Sequence, residues 1–295
     1  MGLRFGLKAR RAFWAYVFIT PALVFFVLIV LYPVFRALQM SLYRWPLGAP
    51  QKTFLGLANY VELFHDRVFV KSLFNTFWYT LGTVPATLVL ALGLALLLNM
   101  KLLKGRSLFR TVYFVPVVSS VVAVSFVWRW LLEPSFGLIN YGLRLFHLPA
   151  PGWLASTTWA MPGIMLVGIW RELGFYMVIF LAGLQTIPQE LYEAATVDGA
   201  NWKQCFWKIT LPLLNPSLVF AAVIAVINGL QMFTQVYVMT GGGTKVPGGP
   251  LHSTRTIVLH IVQAAFRSRE MGYASAAAFV LFMIIFVLKN PNKSQ

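Results

Sequence analysis

Long apolar runs dominate the hydrophobic pattern of this chain, and shorter stretches with charged residues separate them. Six runs are long enough to cross a bilayer, which needs about 20 mostly apolar residues. They cover approximately residues 13–34, 75–98, 111–132, 159–184, 216–239 and 271–288. Helices satisfy their backbone hydrogen bonds internally, as the hydrocarbon core requires. The pattern therefore predicts an all-α, polytopic membrane protein with six transmembrane helices in a single domain, residues 1–295.

The positions of basic residues predict the orientation of these spans. Dense Lys and Arg in short loops mark the cytoplasmic side. Four bases precede the first run and four more connect the second run to the third: Arg4, Lys8, Arg10 and Arg11, then Lys101, Lys104, Arg106 and Arg110. With six spans, both termini and the connection between the fourth and fifth runs are then cytoplasmic. The connections at 35–74, 133–158 and 240–270 are expected to face outward.

The composition excludes a water-soluble globular domain. The chain is 59% hydrophobic and 11% charged, whereas soluble domains carry about 25% charged residues. The net charge of +16 is scattered through the connections, which favours membrane lipids over nucleic acid as the partner. The first run is too long for a signal peptide and is expected to be retained. One cysteine and four scattered histidines show no metal-ligand spacing.

The segment at residues 187–216, IPQELYEAATVDGANWKQCFWKITLPLLNP, is the long interior stretch where acids, bases, glycine and proline come together. The run ELYEAATVD predicts a helix that ends at Gly199, a natural C-terminal stop. A second short helix is expected over about 201–209. Pro212 should force Leu211 into an extended conformation. On physical grounds the segment is either an amphipathic helix on the headgroups or a docking surface for a soluble partner.

Arg171 and Glu172 lie near the middle of the fourth span. Charges at that depth are expensive and usually face a cavity or a partner helix. Adjacent residues on a helix do not face each other. The two should therefore not neutralise one another unless the helix unwinds, which Gly174 would permit. They either bind a cargo or hold neighbouring helices together.

Other spans carry uncharged polar residues. Asn228, Gln231 and Gln235 are spaced by three and four, so we expect them to share one face of the fifth span. Amides on such a stripe can bond sugar hydroxyls or bond across helices. Ser119 and Ser120 in the third span are weaker candidates, since small hydroxyls there more often serve packing.

The 187–216 segment resembles the EAA motif of ABC importer permeases. Glu193-Ala194-Ala195, Gly199, Ile209 and Leu211-Pro212 stand at the spacing of that motif. Other stretches resemble the carbohydrate-uptake branch, the family of the maltose transporter's permeases. They are FLGLANYVELFHD at 54–66, NTFWYT at 75–80, FVPVVSS at 114–120, LAGLQTIP at 181–188 and MGYASA at 271–276.

The resemblance implies an ABC type I importer permease fold in a bacterial or archaeal cytoplasmic (inner) membrane. Such a subunit moves a sugar or short oligosaccharide inward by alternating access. Its partners would be a second homologous permease, two ATP-binding subunits and an extracytoplasmic solute-binding protein. The sequence contains no G-x-x-x-x-G-K-[ST] nucleotide loop. We therefore expect no enzyme activity and no cofactor on this chain, with ATP and Mg on the partner subunits.

The resemblance also implies roles for individual residues. In the coupling loop, residues 187–215, Glu193 and Gly199 would carry the docking contact and the turn. The other candidates in that loop are Glu190, Ala194, Ala195 and Asp198. In the fourth span, Arg171, Glu172 and Phe175 align with sugar-contacting positions. In the fifth span the aligned positions are Gly229 and Met232, one residue away from the amide stripe.

Two further points stay open at this stage. Arg171 also permits a phosphorylated polyol such as glycerol phosphate, through charge-assisted hydrogen bonds. From other classes, a membrane-embedded enzyme would use Arg171 and Glu172 for acid–base chemistry, and a passive channel would need no ATPase.

After Thr240 the chain reads GGGTKVPGGP, where the family pattern has Thr-x-Gly-Gly-Pro. The outer loop is therefore longer, and we expect it to contact the solute-binding protein.

Overall fold

The computed structural model describes residues 4–48, 51–100, 105–241 and 247–289, and most of these residues are helical. The α-helices are α1 Arg4–Phe25, α2 Tyr32–Ser41, α3 Ala58–His65, α4 Arg67–Asn99, α5 Arg106–Val118, α6 Val121–Leu131, α7 Leu138–Leu145, α8 Ala160–Gln185, α9 Gln189–Val197, α10 Trp202–Cys205, α11 Leu211–Leu230, α12 Thr234–Thr240, α13 Ile257–Val262 and α14 Met271–Lys289. Turns of π-helix continue three of them at Phe26–Leu31, Phe206–Thr210 and Gln263–Arg267. Two short antiparallel strands, β1 Tyr43–Arg44 and β2 Thr53–Phe54, form a small hairpin.

Within the described residues, five helices are long and apolar enough to cross a membrane. They are Ala9–Ser41, Arg67–Asn99, Ala160–Gln185, Trp202–Leu230 and Met271–Leu288. The third apolar run is instead a bent pair, α5 and α6, whose axes differ by 98°. The count is six if that pair is one span, so the all-α polytopic class is confirmed, while the orientation of the spans stays a prediction.

The run at 111–132, predicted as one transmembrane helix, is divided into the two helices α5 and α6. Ser119 has an extended backbone and Ser120 leaves the helical region with ψ 124°, and the chain turns between α5 and α6 at these two residues. The Ser119 hydroxyl donates to the Val115 carbonyl at 2.8 Å. Such bonds to the preceding turn compete with the helical backbone pattern and bend helices. The bend therefore occurs where a serine pair follows Pro116.

The chain divides into two compact units, and the larger one holds residues 66–260 and 285–295. Its core lies where α4, α8 and α11 pack together. The buried members are Ala91, Ala95 and Leu98 of α4, Tyr176, Met177, Phe180, Leu181 and Leu184 of α8, and Leu214, Ala221 and Ala225 of α11. Small residues on α4 and α11 let the helix axes come close, which is how helices gain van der Waals contact in a membrane.

Helix α8 runs unbroken from Ala160 to Gln185, so Gly174 does not unwind it. Gly174 permits close packing instead. A Cβ at this position would collide with the Tyr113 carbonyl oxygen of α5. Gly168 lies in the same way against the Tyr79 hydroxyl of α4, and Gly183 lies against the Ser217 hydroxyl of α11. Three glycines of α8 thus allow three different helices to approach it closely.

The fifth membrane helix begins and ends earlier in the chain than the predicted run at 216–239. It runs from Trp202 through the π-helical turn to Leu230, a length of 29 residues. Leu211 is helical, with φ −65° and ψ −44°, so the extended conformation expected before Pro212 is wrong. Pro212 lies in the first turn of α11 directly after the π-turn. The preceding π-turn, in which the Leu211 N–H bonds the Phe206 carbonyl, lets the helix continue although Pro212 has no N–H to donate.

The single helical face predicted for Asn228, Gln231 and Gln235 is also not formed. Gln231 follows the last residue of α11, and Phe233 leaves the helical region with φ −136°. The chain then starts α12, which carries Gln235. Residues on two separate helices do not follow one 3.6-residue period.

The smaller unit holds residues up to 65 together with residues 261–284. Its first helix, Ala9–Ser41, is wholly exposed along its apolar window. Asn59 of α3 is buried and fastens the chain after α2 by donating to the Ser41 carbonyl at 2.7 Å and the Tyr43 carbonyl at 3.1 Å. A backbone bond from Met271 to the Trp45 carbonyl at 3.0 Å joins the start of α14 to the hairpin.

In the larger unit, residues 247–256 are fastened to the N-terminal half of α4. Asn75 donates to the carbonyls of His252 and Arg255 at 2.9 and 3.0 Å. Lys71 donates to the Leu251 carbonyl at 2.8 Å. The outer loop is thus held in place along this part, while Gly242, Gly243 and the rest of 242–246 lie outside the described residues.

His260 of α13 lies buried at the start of α4. Its Nε2 is 3.9 Å from Asp66 Oδ2, and its ring packs edge-on against Phe69. The other Asp66 oxygen accepts the Val68 amide at 2.7 Å and so caps α4. One carboxylate therefore both starts a long helix and faces a buried imidazole. The segment Ile257–Arg267 is too short to count as a span.

We expect Gly174→Ala to lower the stability of the protein. The added methyl group meets backbone atoms of α5, which cannot rotate away, and overpacking of this kind costs about 1–3 kcal/mol. Gly93→Ala in α4 is the matched control, because a Cβ there meets nothing within 4 Å. The measurement is the thermal unfolding midpoint of the purified protein in detergent. Equal midpoints for the two variants would contradict the packing described for α8.

We also expect the protein to lose stability on acidification through His260. Burial, followed by the nearby Arg255 charge, lowers the pKa of His260 from 6.5 to about 4, although Asp66 acts in the opposite direction. The unfolded imidazole therefore takes up its proton first. The stability that comes from a neutral, buried His260 is fully present above pH 6.5 and is lost as the pH falls towards about 4. The free energy of unfolding falls by up to about 3 kcal/mol over this range.

The measurement for His260 is the unfolding midpoint across that pH range, for the wild type and for His260→Gln. The variant should show a weaker pH dependence. His65→Gln is the control, because the His65 side chain is exposed and its Nδ1 bonds the Val61 carbonyl. A slope that is the same in all three proteins would show that His260 does not titrate as described.

Candidate functional site

The 187–216 segment forms a helix, a tight turn and a second helix. Helix α9 ends at Val197, and Gly199 adopts a left-handed conformation with φ +79°. This is the glycine stop that the sequence predicted. Asn201 then caps α10: its side chain accepts the Gln204 amide at 3.0 Å, while the Gln204 side chain accepts the Asn201 amide at 2.8 Å. The turn is therefore defined by local hydrogen bonds on both sides.

One face of α9 is open to solvent. Glu190, Glu193, Ala194 and Asp198 are exposed, and Ala195 is partly buried. Val197 is 88% exposed, an unusual degree for a valine. Gln189 donates to Glu193 Oε1 at 2.9 Å and so restrains that carboxylate. An open cleft lined by Gln189, Tyr192, Glu193, Thr196 and Val197 runs along this face.

Helix α9 is also tied to the next helix. The Tyr192 hydroxyl lies 3.0 Å from the Thr210 hydroxyl, and Thr210 is buried at the end of the π-helical turn. Trp202–Leu230 is one continuous helix, so Thr210 belongs to the same helical element as α11.

Arg171 and Glu172 pair with each other in the intact helix α8. Arg171 Nη1 lies 4.0 Å from Glu172 Oε1, and the two side chains are 23% and 32% exposed. The expectation that unwinding would be needed is therefore wrong. The arginine side chain is long enough to bend back along the helix surface to its neighbour. Trp170, which precedes the pair, packs edge-on against Trp128 of α6 at 5.3 Å.

Two tyrosines that the sequence did not single out complete this polar cluster. Tyr79 of α4 is buried, bonds Thr83 and is close enough to Glu172 and Arg171 to interact with both charges. Tyr176 of α8 also interacts with Glu172, and the Asn228 side chain of α11 lies near its hydroxyl. The cluster therefore draws polar groups from α4, α8 and α11.

A signal for Tyr79 was present in the sequence. Polar residues recur every three or four positions along α4 and are buried there: Ser72, Asn75, Thr76, Tyr79, Thr80, Thr83 and Thr87. A stripe of this period in an apolar span marks the face that packs inward. Several of these hydroxyls bond the preceding turn of the same helix, as Thr83 does with the Tyr79 carbonyl at 2.7 Å.

The remaining predicted cargo residues lie in different surroundings. Phe175 is 37% exposed and packs edge-on against Tyr176. Gln235 is buried and donates to the Ile164 carbonyl of α8 at 2.9 Å. Gln231 is exposed at the end of α11, and Ser119 and Ser120 form the bend between α5 and α6. The structure thus brings Arg171 and Glu172 together, places Asn228 beside Tyr176, and places Gln235 in a helix-to-helix contact.

Comparison with known proteins matches this arrangement to a transport family. Residues 67–289 match the sequence profile of the binding-protein-dependent transport system inner membrane component. The chain is 37% identical to the sulfoquinovosyl glycerol transport system permease protein SmoG of Agrobacterium fabrum, over 92% of this chain and 86% of that protein. It is 36% identical to the lactose transport system permease protein LacF of Rhizobium radiobacter, over 97% and 94%.

The fold has a counterpart of known structure. A chain of a bacterial alginate ABC transporter, solved in complex with an alginate pentasaccharide-bound periplasmic protein, superposes with a TM-score of 0.82. The two sequences are 26% identical, and the match covers 97% of this chain and 94% of the other. The ABC importer permease fold and the multi-pass architecture are thereby confirmed. The chain belongs to the family of binding-protein-dependent transport system inner membrane components.

Proposed function

We propose that this chain is the permease subunit of an ATP-binding-cassette importer that moves a sugar or short oligosaccharide into the cytoplasm by alternating access. The observation that carries the proposal is the continuous helix Trp202–Leu230. It begins within the exposed residues 187–215, called the coupling segment below. It ends beside the polar cluster of Arg171, Glu172, Tyr176 and Asn228. One rigid element thus connects a surface suited to an energy-supplying partner with a site suited to a cargo.

The coupling segment is the expected contact with an ATP-binding subunit. Glu193 lines an open cleft along α9 and Val197 is exposed. This exposed helix face suits docking against that subunit. Glu190, Ala194, Ala195 and Asp198 belong to the same surface, and Gly199 supplies the turn. This chain would hydrolyse no ATP itself, since ATP and Mg would be bound by two partner ATPases. Closure of those subunits would move α9 and, through Tyr192 and Thr210, the whole of α11.

The polar cluster is the expected cargo site. Sugars offer many hydroxyl groups, which amides, tyrosine hydroxyls and charged groups can bond in a cavity with little water. Asn228, Tyr176 and the Arg171–Glu172 pair provide such groups, and Trp170 and Phe175 provide aromatic faces nearby. The names of the relatives support this cargo class, because SmoG and LacF are described as permeases for a sulfoquinovosyl glycerol and for lactose.

The remaining partners follow from the family. A second homologous permease would complete the membrane assembly, in a bacterial or archaeal inner membrane with both termini of this chain in the cytoplasm. A solute-binding protein would deliver cargo to the outer loop. Leu251 in that loop is 78% exposed and held in a left-handed conformation, φ +50°. A strained, exposed apolar residue on a fastened loop suits a protein contact.

We expect Gly199→Asp to reduce ATP-dependent uptake at least tenfold. Any side chain at φ +79° strains the turn, by about 1 kcal/mol, and reorients α9 against its partner. Uptake is measured in vesicles with the complete transporter, together with its ATPase rate. Gly56→Asp is the matched control, since Gly56 also has a positive φ and open space around its Cβ. Unchanged uptake in Gly199→Asp would remove the coupling role from this segment.

We expect Arg171→Ala to weaken cargo binding about tenfold or more, because hydrogen bonds to charged groups contribute about 1.5–3 kcal/mol. The readout is the cargo concentration that half-saturates uptake in the same vesicles. Arg144→Ala is the control, because Arg144 is at the surface of α7 and bonds the Pro134 carbonyl at 2.8 Å. If affinity stayed the same while the unfolding midpoint fell, Arg171 would hold helices together and bind no cargo.

A further inference from the structure

The turn at Gly199 divides the coupling segment into two parts of opposite charge. The part before residue 202 has three acids and no base, and the part from 202 to 215 has two bases and no acid. The acids are Glu190, Glu193 and Asp198, and the bases are Lys203 and Lys208. All of these residues are exposed. A partner surface of one charge sign would attract one part and repel the other, which indicates two different partners.

Three aromatic rings form a continuous surface in the basic part. Trp202 stacks on Phe206, with ring centroids 6.0 Å apart and 17° between the ring planes. Phe206 packs edge-on against Trp207 at 5.3 Å. Trp202 is 73% exposed and Trp207 is 65% exposed. The three rings and the two lysines, residues 202, 203, 206, 207 and 208, are called the aromatic–basic patch below.

This composition is typical of protein surfaces at the boundary between lipid and water. Tryptophan is enriched there because its ring is apolar while its indole N–H can donate to a polar headgroup. Lysine belongs to the same layer, since its apolar stem contacts acyl chains and its ammonium group stays at the headgroups. Helices that lie in this layer combine exposed aromatic rings with exposed bases in the same way.

The aromatic–basic patch is at the start of a helix that is suited to span a membrane. Trp202–Leu230 is long and apolar enough for a span. Its residues from Ile209 to Leu230 include no charged side chain, and a bilayer requires about 20 mostly apolar residues. Lys208 is therefore the last charge before the part of the helix that suits hydrocarbon.

The two lysines also have no counter-charge within the chain. Neither forms an ion pair with a carboxylate in the part of the chain that the structure describes. In the orientation that the basic residues predict, this end of the helix faces the cytoplasmic leaflet. That leaflet carries anionic lipids, which attract Lys and Arg close to its surface. Charge complementarity thus favours an anionic lipid surface as the partner.

We propose that the aromatic–basic patch binds the anionic lipid surface of the cytoplasmic leaflet, whereas the ATP-binding subunit contacts α9. The lysines attract the anionic headgroups, and the exposed rings enter the layer between headgroups and acyl chains. The contact keeps the start of the membrane helix at the headgroups, and fluid lipids still let it move within the membrane plane. The contact of α9 rests on the proposed function, but the lipid contact does not.

The test replaces Trp207 by the photo-reactive residue benzoylphenylalanine in the complete transporter. The transporter is placed in vesicles of phosphatidylcholine that contain phosphatidylglycerol as the minor lipid. Illumination joins the photo-reactive group covalently to the molecule beside it, and mass spectrometry identifies the product. We expect phospholipid adducts in which phosphatidylglycerol is enriched about threefold or more over its share of the vesicle lipid, because two lysines attract it.

In this background, the double substitution Lys203→Gln and Lys208→Gln should reduce the enrichment to the share of phosphatidylglycerol in the vesicles. Arg10→Gln with Arg11→Gln is the matched control, since it removes the same charge from exposed positions of α1. The enrichment should persist in that variant. Co-purification of the ATP-binding subunits shows whether each variant is still assembled.

Either of two results would overturn the assignment. Cross-links from position 207 to a protein subunit, without lipid adducts, would show that the aromatic–basic patch is a protein contact. Lipid adducts in proportion to the vesicle composition would remove the preference for anionic headgroups.

The same photo-reactive residue at Val197, which is 88% exposed on α9, tests the proposed function separately. It should form a cross-link to the ATP-binding subunit. If it does not, while position 207 gives the expected lipid adducts, the coupling role of α9 fails and the lipid contact still stands.

Discussion

The close approach of α8 to its neighbours is the constraint on which the larger unit depends. Three glycines of this helix face three different helices: Gly168 faces α4, Gly174 faces α5 and Gly183 faces α11. In a bilayer, no hydrophobic force drives helices together, so contact at short range has to supply the attraction. A side chain at any of these positions would push a neighbouring helix outward. These contacts hold α8 close to α4 and α11, the two helices that contribute the other members of the polar cluster.

The same packing explains how one subunit can connect two distant surfaces. The coupling segment is held to the start of α11 by Tyr192 and Thr210, and α11 packs on α8 through Leu214 and Ser217. The π-helical turn at Phe206–Thr210 keeps the helix continuous although Pro212 follows it. π-turns of this kind often occur at functional positions in helices. Here the turn lies at the junction between the exposed segment and the membrane helix.

Sequence patterns predicted the local features well. The apolar runs located the membrane helices, and the glycine after Asp198 located the end of α9, because span length and helix stops depend on residues that are close in the chain. The family was visible in the EAA spacing of the 187–216 segment. The wrong predictions concern positions where a contact with another helix, or the π-turn before Pro212, altered the local conformation. Pro212 entered a helix, Arg171 reached Glu172 without unwinding, and Gly174 proved to be a packing position.

The sequence by itself determined that the chain is a polytopic helical membrane protein of the binding-protein-dependent transport family, since hydrophobicity and motif spacing are properties of the chain. Only the tertiary structure decided that the third run bends by 98°, that α11 ends at Leu230, and that Tyr79 joins Glu172 while Gln235 bonds α8. These outcomes depend on which backbone and side-chain groups meet across helices. Such pairings join residues far apart in sequence, and periodicity within one span carries no information about its neighbours.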